Sequence, residues 1–150
     1  MAKTILRRLK FDNDTTDRVC RLIRYHDDRP ELSERTVRRA MNRIGVENMP
    51  ALFAVKRADT LGQSLYHREE KLAYVDTYEH LFKEICAARQ CVQKKDLAIG
   101  GSDLIAMGMK PGREIGEVLN ELFERVLDNP ELNQRDKLLE LAHNLMTRLI

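Results

Sequence analysis

The sequence changes character at residues 101–116, GSDLIAMGMKPGREIG. Five of the seven glycines in the chain fall between positions 100 and 116. Ser102 or Asp103 can cap a first helix, Gly108 permits the positive φ that ends it, and Pro111 suits the first turn of a second helix. The stretch therefore predicts a short helix, a tight turn and a new helix.

The beginning of this second helix has the chemistry of an anion site. Gly112 leaves the first backbone N–H groups sterically open, and Lys110 and Arg113 flank them. Helix N-termini attract phosphate. Gly116, one turn later, is expected to allow close packing of another element. Two interpretations stay open, a tight corner between helices or a phosphate contact, while the spacings of Walker and Rossmann motifs are absent.

Helical spacing of apolar residues extends outward from this turn along almost the whole chain, and no segment alternates for long enough to compete as a strand. The predicted fold class is all-α. The fifth helix is long enough to connect two packing units. The predicted helices span residues 3–10, from 12–15 to 28–30, 33–45, 49–65, 68–93, 111–127 and from 134 onward, the last with Leu149 in its apolar stripe.

The charge is unevenly distributed. The 150 residues are 33% charged with a net charge of +2, which excludes a histone-like polycation. Residues 1–43 contain 12 Lys or Arg and 7 Asp or Glu, whereas residues 101–128 contain 3 and 6. The pattern indicates a positive face formed by selected helices.

The third predicted helix has its basic residues opposite its apolar stripe. Four arginines lie on one side of it: Arg35, Arg38, Arg39 and Arg43. A solvated helix face and a phosphate-contacting surface both account for this pattern.

Cysteine usage and hydropathy place the chain in a reducing, aqueous compartment. The chain has three cysteines, Cys20, Cys86 and Cys91, and no C-x-x-C motif. We therefore expect reduced thiols and no metal site. No apolar run approaches the roughly 18 residues of a membrane-spanning helix, and residues 1–14 lack the features of a signal peptide. We expect a cytoplasmic protein without a membrane partner.

Several blocks of the sequence match a family pattern. They are ILRRLKFDND, RLIRYHDD, VRRAMNRIG, KRADTLGQ and one long block, DLAIGGSDLIAMGMKPGREIGEVLNELFERVLDNPELNQRDKLLELA, which covers residues 96–142. In these blocks the chain resembles the C-terminal half of bacterial CCA-adding tRNA nucleotidyltransferases, which belong to the poly(A) polymerase-like enzymes with an HD-type helical region.

This resemblance implies that the chain lacks the catalytic head of the family. In such enzymes the head carries its catalytic carboxylates in a Gly-Ser and Asp-x-Asp context, binds Mg²⁺ and uses CTP and ATP. Here Gly101-Ser102-Asp103 lies in a helical turn, and Ile105 stands where a second carboxylate belongs. We expect no catalytic residue, no cofactor and no activity in the chain alone, which resembles a truncated piece of a longer enzyme.

The resemblance further implies a division into three parts and a tRNA partner. Residues 1–65 would be the end of the HD-like region, 66–98 a connecting helix, and 99–150 a tRNA-binding region. The expected RNA-binding residues are Arg35, Arg38, Arg39, Arg43, Lys94, Lys95, Lys110, Gly112 and Arg113. With few aromatic residues, they would follow the phosphate backbone by shape.

Two alternative functions stay open. His26-Asp27 and Asp59 suggest an HD-type metal phosphohydrolase fragment, although the metal-binding pair of that family would lie upstream of Met1. A helical interaction module, including a homodimer, would suit the long fifth helix and the acidic face formed by Glu114, Glu117, Glu121 and Glu124.

Overall fold

The computed structural model describes residues 1–148, which contain helices and no strand. The all-α prediction is confirmed. Three single-turn 3₁₀ helices, at Val46–Asn48, Lys94–Asp96 and Pro130–Leu132, lie between α-helices. The α-helices are α1 (Ala2–Arg8), α2 (Asn13–Tyr25), α3 (Glu34–Ile44), α4 (Met49–Gly62), α5 (Arg68–Ala87), α6 (Gly101–Ala106), α7 (Arg113–Asp128) and α8 (Arg135–Arg148).

The chain divides into two units, Met1–Cys86 and Ala87–Ile150. The first contains α1 to α4 and nearly all of α5, and the second contains α6 to α8 with the irregular segment that precedes them. The three-part division at residues 65 and 98 stays a prediction.

Side-chain caps define the beginnings of two helices of the first unit, α2 and α3. The Asp12 carboxylate accepts a first-turn N–H of α2 at 2.8 Å. Ser33 caps α3 by accepting the Thr36 N–H at 3.2 Å, while the Ser33 N–H donates to the Thr36 hydroxyl at 3.0 Å. Gly45 ends α3 at φ +97°, and a Cβ there would lie 2.5 Å from Glu47 Oε1. The predicted caps at Ser33 and Gly45 are confirmed.

The buried apolar side chains of the first unit come mainly from α3, α4 and α5. Phe53 packs edge-on against Tyr78 and Phe82, with ring centroids 5.2 and 5.6 Å apart. The buried set contains Val37, Ala40, Met41, Ile44, Met49, Leu52, Phe53, Val75, Tyr78 and Ile85.

The second unit has its own core, in which α7 contributes the largest share. The cluster also draws in two residues from the segment before α6. Its buried members are Cys91, Ile99, Leu104, Met109, Val118, Leu122, Phe123, Val126, Leu127, Leu138 and Ala142.

Five predicted helix boundaries differ from the structure by two residues or more. α1 ends at Arg8 and α2 at Tyr25, before the predicted ends at residues 10 and 28–30. α5 ends at Ala87 rather than residue 93, because Arg89 adopts a left-handed φ of +50° and Cys91 turns into the core of the second unit. α4 ends at Gly62, three residues early, and α7 begins at Arg113, after Pro111. The helical spacing of apolar residues after Ala87 is compatible with a longer α5 or with a separate segment. Burial of Cys91 in the core of the second unit shows that it is a separate segment. The predicted stripe position Leu149 lies outside the described residues.

Candidate nucleic-acid interface

The turn between α6 and α7 follows the glycine pattern in part: Gly108 ends α6, but the N-cap residue of α6 is Gly100 rather than Ser102 or Asp103. The Asp103 carboxylate accepts the Gly100 N–H at 2.7 Å at the start of α6 and forms an ion pair with Arg135 of α8, also at 2.7 Å. Both interactions lower the pKa of Asp103, the Gly100 N–H more than Arg135. Gly108 lies at φ +100° and ends α6, and the Met109 N–H donates to the Leu104 carbonyl at 3.0 Å. The ion pair therefore ties α6 to α8, and the turn that leads into α7 is held to α6.

The N-terminus of α7 is open. Gly112 is its N-cap residue in ordinary extended backbone, and no side chain among residues 1–148 hydrogen-bonds to the first-turn N–H groups as a cap. Pro111 precedes the cap instead of occupying the first turn. Added at Gly112, a Cβ would come no closer than 3.9 Å to another atom outside its chain neighbours. Backbone donors at a helix N-terminus without a cap can bind an anion.

The expectation for Gly116 is wrong, since it is exposed and a Cβ there would meet nothing within 4 Å. The close approach between α6 and α7 occurs at Gly101, where a Cβ would lie 3.3 Å from Ile115 Cγ2. The sequence predicted that a glycine lies at a close contact between helices, but the spacing of the glycines did not show which one.

Two cations border the open N-terminus. The Arg113 side chain is 92% exposed, and its Nε donates to Glu117 Oε1 at 2.8 Å. Lys110, in the turn, is exposed. An ion pair in solvent contributes little free energy, so the Arg113 guanidinium can exchange Glu117 for a phosphate at small cost.

Lys94 brings a further cation to the same helix. Its Nζ donates to Asn120 Oδ1 on α7. Asn133 holds this segment by accepting the Ala98 N–H at 2.8 Å and donating to the Asp96 carbonyl at 2.9 Å. Asn120 follows Arg113 by seven residues, or about 10 Å along the helix axis. Lys94 therefore reaches α7 about two turns beyond Arg113, and the neighbouring Lys95 is exposed.

The acidic residues of α7 limit where an anion can bind. Glu114, Glu117, Glu121 and Glu124 are all exposed, and Glu121 pairs with Arg125 at 2.9 Å. Their field opposes RNA along the body of the helix. The cations that border the N-terminal end of α7, Lys110 and Arg113, are therefore better placed to bind an anion than the body of the helix.

The arginines of α3 do not form one solvent-facing row. Arg38 is buried, at 3% exposure, and its Nη1 donates to Glu34 Oε2 at 3.3 Å. Arg39 is half-buried, whereas Arg35 and Arg43 are exposed. The expectation of four exposed arginines is therefore wrong for Arg38.

The helical wheel explains the burial of Arg38. Arg38 lies about 60° around the helix from Met41, so it borders the apolar stripe. Neighbouring elements cover α3 over a wider arc than the stripe, since Arg38 is buried along with Val37 and Met41. Arg43 lies near Asp28 at 3.5 Å, with its guanidinium 5.2 Å from the centre of the Tyr25 ring.

Sequence reasoning missed the role of Lys56. This residue is 6% exposed, and its Nζ donates to the carbonyls of His26 at 2.7 Å and Asp28 at 2.6 Å, just beyond α2. Burial lowers its pKa, and Asp28 opposes that effect. No sequence motif marks such a contact, because the partners are backbone atoms about thirty residues away.

The candidate HD residues line a small cavity of about 20 Å³ together with Lys56. His26 is half-buried, with Nδ1 2.7 Å from the Ile23 carbonyl and Nε2 3.3 Å from Asp27. Asp27 and Asp59 also border the cavity. Within residues 1–148, no three His, Cys, Asp or Glu side chains are grouped as metal ligands.

Comparison with known proteins identifies the family. The family model described as tRNA nucleotidyltransferase domain 2 matches residues 1–142. The chain therefore belongs to the tRNA nucleotidyltransferase domain 2 family.

A curated relative agrees with this assignment. The chain is similar to a CCA-adding enzyme of Lacticaseibacillus paracasei, with 37% identity over 73 residues, which are 49% of this chain. The match spans 18% of the length of that enzyme. The resemblance found in the sequence blocks is confirmed. No solved structure matches the chain. Every helix among residues 1–148 is too short or too polar to span a lipid bilayer.

Proposed function

We propose that this chain is the tRNA-binding region of a CCA-adding tRNA nucleotidyltransferase. It positions tRNA for nucleotide addition at the 3′ end by a catalytic head that these 150 residues do not contain. Mg²⁺, CTP and ATP belong to that head. The partner of this chain is tRNA, and its compartment is the cytoplasm.

The open N-terminus of α7 is the observation that carries the proposal. Backbone N–H groups without a side-chain cap, two flanking cations at Lys110 and Arg113, and a third at Lys94 suit the phosphates of an RNA backbone. The family acts on tRNA, so phosphate is an expected ligand. The exposed arginines of α3, Arg35 and Arg43, supply candidate contacts in the first unit.

A binding titration with whole tRNA tests the proposal. We expect Arg113→Glu to weaken the affinity about tenfold, because it removes one phosphate contact and places a negative charge at the helix N-terminus. Arg113→Ala should lower the slope of log affinity against log salt by about one unit. Fluorescence anisotropy of end-labelled tRNA at several salt concentrations measures both effects.

The matched control is Lys137→Glu on α8 of the same unit, where the exposed lysine donates to the Glu131 carbonyl at 3.2 Å. This variant makes the same charge change away from the N-terminus of α7. Because it alters only the overall charge, it should keep the affinity for tRNA within about twofold of the wild type. Wild-type affinity that is insensitive to salt, or equal losses in Arg113→Glu and Lys137→Glu, would refute the proposed interface.

A further inference from the structure

The loop between α4 and α5 exposes two large apolar side chains. Leu65 is 77% exposed and Tyr66 is 75% exposed. Among residues 1–148, Tyr66 is the most exposed aromatic side chain, ahead of Phe11 at 48%. Neither Leu65 nor Tyr66 contributes to the core of its own unit, so internal packing does not account for them.

Hydrogen bonds from charged side chains hold this loop in one shape. Arg68 Nη2 donates to the carbonyls of Leu61 at 3.1 Å and Gln63 at 2.8 Å. Lys71 Nζ donates to the Gln63 side chain at 3.0 Å. The His67 ring lies edge-on to the Tyr66 ring, with centroids 3.9 Å apart. The exposed phenol is therefore presented by a fixed support.

The shape of the loop has a conformational cost. His67 adopts a left-handed φ of +53°, a conformation that is uncommon for residues other than glycine, although His adopts it more often than most. Arg68 Nε is buried and, within residues 1–148, makes no hydrogen bond. Backbone strain such as that at His67 persists where the surrounding structure enforces it, and such residues are concentrated at binding sites.

We propose that Tyr66 is a stacking platform for an unstacked nucleobase of the tRNA. This inference rests on the proposed function, because tRNA is the ligand that supplies the base. A phenol ring fixed in solvent matches the face of one base, and stacking on an aromatic ring is a common way for proteins to bind unpaired nucleotides.

The surroundings of the ring favour a base over a protein partner. The apolar surface consists of Leu65 and Tyr66 at the tip of a loop, and the next residues along the chain are charged or titratable. A stable protein interface needs roughly 800 Å² from each partner, far more than two side chains supply. Arg68 and Lys71 lie beside the loop backbone and offset the charge of Glu69 and Glu70.

A single fluorescent reporter tests the platform directly. The chain contains no Trp, so Tyr66→Trp introduces the only indole. We expect whole tRNA and a short single-stranded RNA to quench this fluorescence, and a blunt RNA duplex to leave it nearly unchanged. Phe11→Trp, in the exposed turn before α2, is the matched control and should not be quenched.

Affinity measurements complete the test. We expect Tyr66→Ala to weaken tRNA binding about tenfold, equivalent to about 1.4 kcal/mol, and Tyr66→Phe to keep affinity within about twofold because the ring alone stacks. Circular dichroism should be unchanged, since the side chain is exposed.

The outcomes separate this inference from the proposed function. If Arg113→Glu weakens tRNA binding while Tyr66→Ala does not, the platform is wrong and the proposed function stands. If Tyr66→Ala changes the sedimentation mass without changing RNA affinity, the ring serves a protein contact and the platform is overturned. If the wild-type chain does not bind tRNA, both proposals fail.

Discussion

Replacing Lys56 with Met tests how the first unit holds the end of α2. Lys56 is buried on α4, and its Nζ donates to the carbonyls of His26 and Asp28. Met preserves the length and apolar stem of the side chain but donates no hydrogen bond. The variant therefore leaves both carbonyls without this partner and should destabilise the unit Met1–Cys86.

The expected loss is about 2 kcal/mol of unfolding free energy. Each hydrogen bond from a charged donor contributes about 1.5–3 kcal/mol. Removing the buried ammonium also relieves a desolvation cost of several kcal/mol, which offsets part of the loss. The lowered pKa of Lys56 reflects that cost.

Urea unfolding followed by circular dichroism measures the change. Hydrogen exchange at the amides of α2 and α4 assigns the affected transition to the first unit. Lys71→Met is the control, because Lys71 makes its hydrogen bond to the exposed Gln63 side chain. A loss below about 0.5 kcal/mol for Lys56→Met, or an equal loss in the control, would refute the argument.

The contribution of Lys56 should also depend on pH. Because burial lowers its folded pKa below the ordinary value of 10.5, the unfolded chain binds the extra proton between those two values. Wild-type stability relative to Lys56→Met should therefore rise as the pH increases through that window. A difference that stays flat or falls across the window would show that the ammonium is not desolvated in the folded state.

Four further measurements probe local features. Ser33→Ala should destabilise the first unit by about 1 kcal/mol in urea unfolding, because it removes the cap of α3. Gly45→Ala should destabilise it by about 2 kcal/mol, because φ is +97° and the added Cβ would clash; an unchanged unfolding midpoint would exclude that backbone. Cys86, which is exposed, should react with a thiol reagent before Cys91, whose burial raises its pKa to about 11; the reverse order in mass spectrometry would contradict the fold. Asp103→Asn should make the unfolding free energy of the second unit less sensitive to acid. The wild-type carboxylate stabilises the folded state above its ordinary pKa, and this stabilisation is lost as the pH falls through the lowered pKa of the folded state.

Much of the fold could be predicted from short-range patterns. Ser33 and Gly45 delimit α3 because a cap and a left-handed turn depend on atoms only a few residues away. Gly108 ends α6 for the same reason. The all-α class follows from apolar spacing, which is a property of consecutive residues.

The candidate site could be predicted only in part. The sequence indicated Lys110, Gly112 and Arg113, because all three lie within a few residues of the start of one helix. It did not indicate that Lys94 reaches the same helix through Asn120, a contact across 26 positions. Spacing along the chain contains no information about which distant segments meet.

The amino-acid sequence by itself determined the helical class, the principal caps, the glycine turn and the family to which the chain belongs. Tertiary structure alone decided that Arg38 is buried, that α5 stops at Ala87 so that Cys91 joins another core, and that Lys56 binds backbone carbonyls beyond α2. The physical reason is range. Helix propensity and capping act over about one turn, whereas burial and long-range hydrogen bonds depend on which surfaces the folded chain brings together.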